Sequence, residues 1–103
     1  MYNLKVEVVE IEGDCPVYSI GESFYIKDGF RLSVPEGREL CFHSLLSITP
    51  YYTALSRAIS GNELGLNKNG GQGAYVHCLD PCEYTDGGTV VFSISPEEQG
   101  INH

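Results

Sequence analysis

The sequence predicts an α+β fold: a small, mostly antiparallel sheet, flat or curled towards a barrel, with one kinked or paired helical segment packed on it. Segments typical of β-strands stand in both the first and the last third of the 103-residue chain. One segment with helical periodicity lies between them. Because strands precede and follow the helix instead of alternating with it, the order favours α+β over a parallel α/β sheet.

The first strands come from the N-terminal third. In residues 4–12, LKVEVVEIE, apolar and charged residues alternate, which is typical of a strand with one buried face. Val9 and Ile11 break this alternation, which predicts a β-bulge or burial on both faces. Residues 22–34, ESFYIKDGFRLSV, divide around Asp28-Gly29, and this dipeptide favours a hairpin between two short strands.

The helical segment follows. Its apolar side chains recur at spacings of three and four residues and form one stripe: Leu45, Ile48, Tyr52, Leu55 and Ile59. Pro50 interrupts the stripe, and Thr49 can cap a new helix that has Pro50 at its first position. We therefore expect two helices, or one kinked helix, meeting at residue 49. Gly61 is expected to end the segment as the residue after the C-cap.

The C-terminal third returns to strands. Residues 62–73 are rich in Gly and Asn, lack the Gly-Lys-Ser/Thr end of a phosphate-binding loop, and are expected to be a plain connector. Residues 74–79 and 89–95 read as strands, the latter a candidate for the centre of the sheet. We expect a single domain over residues 1–95, followed by a polar tail over residues 96–103.

The charge balance argues against whole classes of function. The net charge is −8, from 14 acidic and 6 basic residues, and no run of Lys or Arg exists to bind a nucleic-acid backbone. No apolar run resembles a signal peptide or is long enough to span a membrane. We expect a cytoplasmic protein, whose four cysteines are kept reduced instead of forming a disulfide framework.

Three stretches of the chain are distinctive: CPVYSIGESFYI, PEGRELCFHSLLSITPYYTAL and YVHCLDPCEYTDGGTVVFSI. They resemble a family of small, uncharacterised cysteine-containing proteins found mainly in anaerobic bacteria and archaea, and the similarity covers about residues 4–95. The family brings no established activity. The resemblance implies that Cys15, Cys41 and Cys78 occupy motif positions, whereas Cys82 does not.

The cysteines lead to the main functional hypothesis. Cys15 follows the first strand, Cys41 opens the helix and Cys78 ends a late strand, so the three can converge at one end of the sheet. Thiolates in such a set bind zinc or an iron–sulfur cluster. The expected ligand set is Cys15, Cys41, Cys78, Cys82 and His77, with His43 and Asp80 as secondary candidates. The role that follows is an accessory or electron-transfer module serving a larger redox enzyme.

Two alternatives stay open at the level of sequence. Cys41 at the start of a helix could be a reactive nucleophile, which would make the protein a thiol-dependent enzyme. Alternatively, free cysteines commonly pack as small hydrophobic residues, and the chain would then be a binding module that assembles with copies of itself. Alkylation of the thiols and replacement of the cysteines distinguish the three hypotheses.

Overall fold

The computed structural model describes residues 1–97 and forms one open five-stranded sheet with two short helices. The elements are β1 (Asn3–Gly13), β2 (Ser23–Lys27), β3 (Arg31–Ser33), α1 (Phe42–Ile48), α2 (Tyr52–Ser56), β4 (Ala74–His77), a 3₁₀ turn (Cys82–Tyr84) and β5 (Gly88–Glu97). The strand order is β3-β2-β1-β5-β4, and every neighbouring pair is antiparallel. The predicted α+β class is confirmed, and the sheet is open instead of barrel-like.

The two longest strands, β1 and β5, pair along their whole lengths at the centre of the sheet. Their pairing register shifts between Val8 and Glu10, and Val9 at the shift is 40% exposed. A β-bulge therefore explains the broken alternation of the first strand, as the sequence predicted. The central position predicted for the last strand is also confirmed.

The core lies between one face of the sheet and the helices. Its sheet side consists of alternate residues of four strands: Leu4, Val6, Val8, Phe24, Ile26, Ala74, Val76, Val90, Phe92 and Ile94. Ile48 of α1 and Leu55 of α2 are each 1% exposed and close the core from the helical side. Seven- and five-residue helices are too short to be stable alone, so this packing is what holds them.

The helical segment differs from the sequence prediction in two details. It divides at Pro50, but Thr49 caps the end of α1, and Tyr51, without a side-chain capping bond, precedes α2. The segment ends at Ser56 and not at Gly61: the N–H of Ile59 bonds to the carbonyl of Ala54, with Ala58 at φ 70°. Alanine thus takes the left-handed position that the prediction gave to glycine.

At the C-terminal end, β5 continues through Pro96 and Glu97, which the sequence assigned to the polar tail. The rest of the predicted tail, residues 98–103, lies outside the described residues. Among residues 1–97, no helix is long and apolar enough to cross a bilayer.

A candidate thiol site at one end of the sheet

The site begins where β1 ends and β5 starts. Gly13 and Gly88 are paired across the two strands, and the N–H of Asp14 donates a hydrogen bond to the carbonyl of Gly87 (3.1 Å). A Cβ atom on Gly88 would lie 2.8 Å from the main-chain nitrogen of Cys15, so only glycine allows this close approach. The chain carrying Cys15 is thereby held directly over the start of β5.

Cys15 opens a tight turn that ends at Tyr18. The N–H of Tyr18 donates a hydrogen bond to the Sγ atom of Cys15 (3.4 Å), and the Cys15 side chain is half-buried. This hydrogen bond fixes the position of the Cys15 sulfur relative to the main chain of Tyr18.

Cys78 lies beyond the end of β4 and is only 6% exposed. Its N–H donates to the carbonyl of Val90 (2.9 Å), and its Sγ atom accepts the N–H of the same residue (3.3 Å). The Sγ atom also contacts the carbonyl of Gly88 at 3.5 Å, as the donor of a thiol hydrogen bond. The side chain thus prolongs the β4–β5 ladder by one step and fixes the position of the sulfur.

Cys41 immediately precedes α1, in an extended conformation. Its N–H donates to the hydroxyl oxygen of Tyr18 (3.0 Å), and its carbonyl accepts the hydroxyl of Ser44 (2.6 Å). The Tyr18 and Ser44 oxygens are 2.7 Å apart. Because the single hydroxyl proton of Ser44 goes to Cys41, the phenol proton is the one shared between Tyr18 and Ser44.

These three cysteines line one cavity of about 330 Å³. Two other predicted candidates, His43 and Asp80, line it as well. The remaining walls are largely apolar: Pro16, Val17, Tyr18, Leu79, Pro81, Thr85, Gly88 and Val90. Cys41 precedes α1 and His43 lies in its first turn, and both residues line the same cavity.

The other two predicted ligands lie elsewhere. Cys82 belongs to the 3₁₀ turn after Asp80-Pro81 and is not among the residues that line the cavity. His77 is exposed, its Nδ1 atom lies 2.7 Å from the carbonyl of Cys78, and it lines a separate hollow beside α1. His77 faces away because alternate residues of β4 lie on opposite faces of the sheet, and the 3₁₀ turn after Pro81 carries Cys82 out of the cavity.

Asp80 lies at the cavity but its side chain is engaged in the following turn. Its carboxylate accepts the hydroxyl of Thr85, and its carbonyl accepts the hydroxyl of Thr89 (2.6 Å). A Cβ atom on Gly87 would lie 2.3 Å from Oδ2 of Asp80, so the carboxylate fills the space that the glycine leaves. Asp80 therefore stabilises the loop that carries Cys78.

The neutral phenol of Tyr18 is favoured by its surroundings. Burial raises the pKa of Tyr18 above its ordinary value of 10.0, while the hydrogen bonds with Ser44 and Cys41 lower the pKa in part. Negative charge on Cys41 or Cys15 would raise the pKa further, since both thiols lie close enough to act on the phenol. At neutral pH the hydroxyl can therefore both donate and accept a hydrogen bond.

The cavity contains the side-chain type that binds thiophilic metals, but the described side chains are not grouped closely enough to bind a single ion. Soft thiolate ligands select zinc, copper(I) and iron–sulfur clusters. Within residues 1–97, no group of three or more His, Cys, Asp or Glu side chains is close enough together to hold one metal ion. The cavity therefore matches such a centre in the type of its side chains and not in their grouping.

Tyr18 and Ser44 are the site residues that sequence reasoning missed. Each stands three residues after a cysteine, Cys15 and Cys41 respectively. The contact between Tyr18 and Ser44 joins residues 26 positions apart and has no signature in the sequence.

Comparison with known proteins gave no match. No protein-family model, no curated protein and no solved structure is significantly similar to the chain. The resemblance to a small cysteine-containing family therefore stays a prediction.

Proposed function

We propose that the protein binds a thiophilic metal centre through Cys15, Cys41 and Cys78. Its role is that of a cytoplasmic accessory or electron-transfer module for a larger redox enzyme. The observation that carries this proposal is that three of the four cysteines, from three separate segments of the chain, line a single cavity.

The hydrogen bonds at the sulfurs support the same proposal. Cys15 and Cys78 each accept a main-chain N–H, a bond that a metal-bound sulfur can keep, although Cys78 would give up the thiol proton that it donates to the carbonyl of Gly88. Zinc and iron–sulfur clusters are both bound by cysteine thiolates, so the metal analysis below distinguishes the two. When bound, the cluster would supply one-electron chemistry, and the chain would hold it and partly exclude water.

The direct test is analysis of iron, zinc and acid-labile sulfide in protein purified without oxygen and without a histidine tag. The proposal expects a stoichiometric metal in the wild type and its loss in the variants Cys15→Ser, Cys41→Ser and Cys78→Ser. Cys82→Ser is the matched control and should keep the metal, because Cys82 does not line the cavity. A metal-free, well-folded wild type with four free thiols would refute the proposal.

A second candidate function is thiol catalysis by Cys41. Among the described contacts, no hydrogen bond engages the Sγ atom of Cys41, and His43 lines the same cavity. A sulfur free of such bonds is available to attack an electrophile. This candidate expects fast, selective alkylation of Cys41 in metal-free protein and folding that is independent of metal. Equal alkylation rates at Cys41 and Cys82 would exclude it.

A further inference from the structure

One buried tyrosine touches two of the three segments that form the thiol site. The main-chain N–H of Tyr18 donates to the sulfur of Cys15, and its hydroxyl oxygen accepts the N–H of Cys41. These contacts join residues 23 positions apart, Tyr18 and Cys41, across the cavity wall. The third cysteine, Cys78, is fixed independently by the β4–β5 ladder.

Packing alone does not account for a tyrosine at this place. The ring of Tyr18 meets Phe92 edge to face, with centroids 5.3 Å apart, and is 6% exposed. A phenylalanine would make the same ring contact without burying a hydroxyl, and burial of an unbonded hydroxyl is costly. Among the described contacts, the hydroxyl makes hydrogen bonds only with Cys41 and Ser44. Its structural role is therefore at the start of α1.

The start of α1 depends on this hydroxyl. Among the described contacts, no side chain caps the helix, which has only seven residues. The two polar groups of the Cys41 main chain are instead bound by Tyr18 and Ser44, and these two side chains bind each other. This closed set of three hydrogen bonds fixes the backbone of Cys41 and, through it, the direction of the side chain.

We infer that Tyr18 is the positioning residue of the thiol site: it holds Cys15 and Cys41 on the same cavity by two different groups. The hydroxyl of Tyr18 fixes the position of Cys41, and its main-chain N–H fixes the position of the Cys15 sulfur. The inference rests on the proposed function, because the site that Tyr18 organises is the proposed metal site. It assigns Tyr18 no contact with the metal and no step in the chemistry.

The test uses Tyr18→Phe in the full-length, metal-free, reduced protein, with iodoacetamide as the probe and mass spectrometry to resolve each cysteine. Removing the hydroxyl leaves the N–H of Cys41 without its partner. Alkylation of Cys41 should accelerate about fivefold, the ratio expected for loss of one net hydrogen bond. The rates at Cys15, Cys78 and Cys82 should stay unchanged, because the substituted phenylalanine would keep the main-chain bond to Cys15 and the ring contact.

Two further variants complete the design. Tyr75→Phe is the matched control, since Tyr75 is 50% exposed, and it should leave all four rates unchanged. Ser44→Ala removes the bond to the Cys41 carbonyl and should accelerate Cys41 selectively, which keeps the inference testable if the Tyr18 variant folds poorly. Equal acceleration of all four thiols would mean general loosening of the fold and would overturn the inference, as would no change at Cys41.

The readout separates this inference from the proposed function. Alkylation is measured on metal-free protein, so a selective change at Cys41 supports positioning by Tyr18 even if the wild type binds no metal. After reconstitution with iron and sulfide, Tyr18→Phe should retain less iron per chain than Tyr75→Phe. Where the wild type retains iron, equal retention in the two variants would overturn the link between Tyr18 and metal binding; where it retains none, the proposed function fails and the alkylation rates alone decide the inference.

Discussion

Replacement of Cys78 by alanine measures the structural role of this sulfur apart from any metal. The Sγ atom is buried, accepts the N–H of Val90 and contacts the carbonyl of Gly88. Alanine removes the sulfur from the core and leaves the buried N–H of Val90 without a partner. Lost packing and an unpaired buried donor each destabilise, so we expect the free energy of unfolding to fall by roughly 1–3 kcal/mol.

The assay is urea denaturation of reduced protein in the presence of a chelator, so that metal makes no contribution. Cys82→Ala is the control: Cys82 is half-buried, and the substitution should cost about 0.5 kcal/mol or less. The loss of unfolding free energy in Cys78→Ser should fall between the losses in Cys78→Ala and Cys82→Ala, because a hydroxyl can reproduce both hydrogen bonds. A Cys78→Ala variant as stable as Cys82→Ala would refute the structural role that we assign to the sulfur.

Three further predictions concern the fold around the site. The pKa of Tyr18 is raised in the folded state, so the contribution of the neutral phenol to stability is fully present below pH 10.0 and is lost as pH rises above that value. Urea curves at several pH values should therefore show the stability difference between wild type and Tyr18→Phe shrinking in alkali. A constant difference would contradict this. Ala58→Gly should stabilise by about 1 kcal/mol, because Ala58 has φ 70° at the end of α2; an unchanged or lower melting temperature would count against that conformation. Gly61→Ala should destabilise by about 2 kcal/mol or more, because the new Cβ would lie 1.7 Å from the carbonyl oxygen of Gly73; normal thermal stability would show that the two segments are not in such close contact.

Local signals in the sequence predicted the strands well. The broken alternation at Val9 marks a real bulge, and Asp28-Gly29 forms the hairpin with both residues at positive φ. Both features depend on a few neighbouring residues, so the sequence contains the whole signal. The predicted end of the helical segment was wrong for two reasons. The Schellman-type bond is made around Ala58, a residue type that does not normally favour positive φ, and Gly61 is instead required for close packing against Gly73.

The candidate site was predictable only in part. Cys15, Cys41 and Cys78 stand at element ends and line one cavity, because element ends gather at the ends of a small sheet. Cys82 does not line it, since Asp80-Pro81 and the 3₁₀ turn lie between it and Cys78. The link between Tyr18 and Ser44 depends on how α1 packs against the sheet, which no local pattern contains.

The central claim is that Cys15, Cys41 and Cys78 bind one metal centre in their shared cavity. X-ray absorption at the metal edge of anaerobically purified wild-type protein tests it most directly, because the first coordination shell reports ligand type and number. We expect a first shell dominated by sulfur in the wild type, and fewer sulfur ligands around any metal that a Cys41→Ser variant retains. A shell of oxygen and nitrogen alone, or protein with no stoichiometric metal, would contradict it.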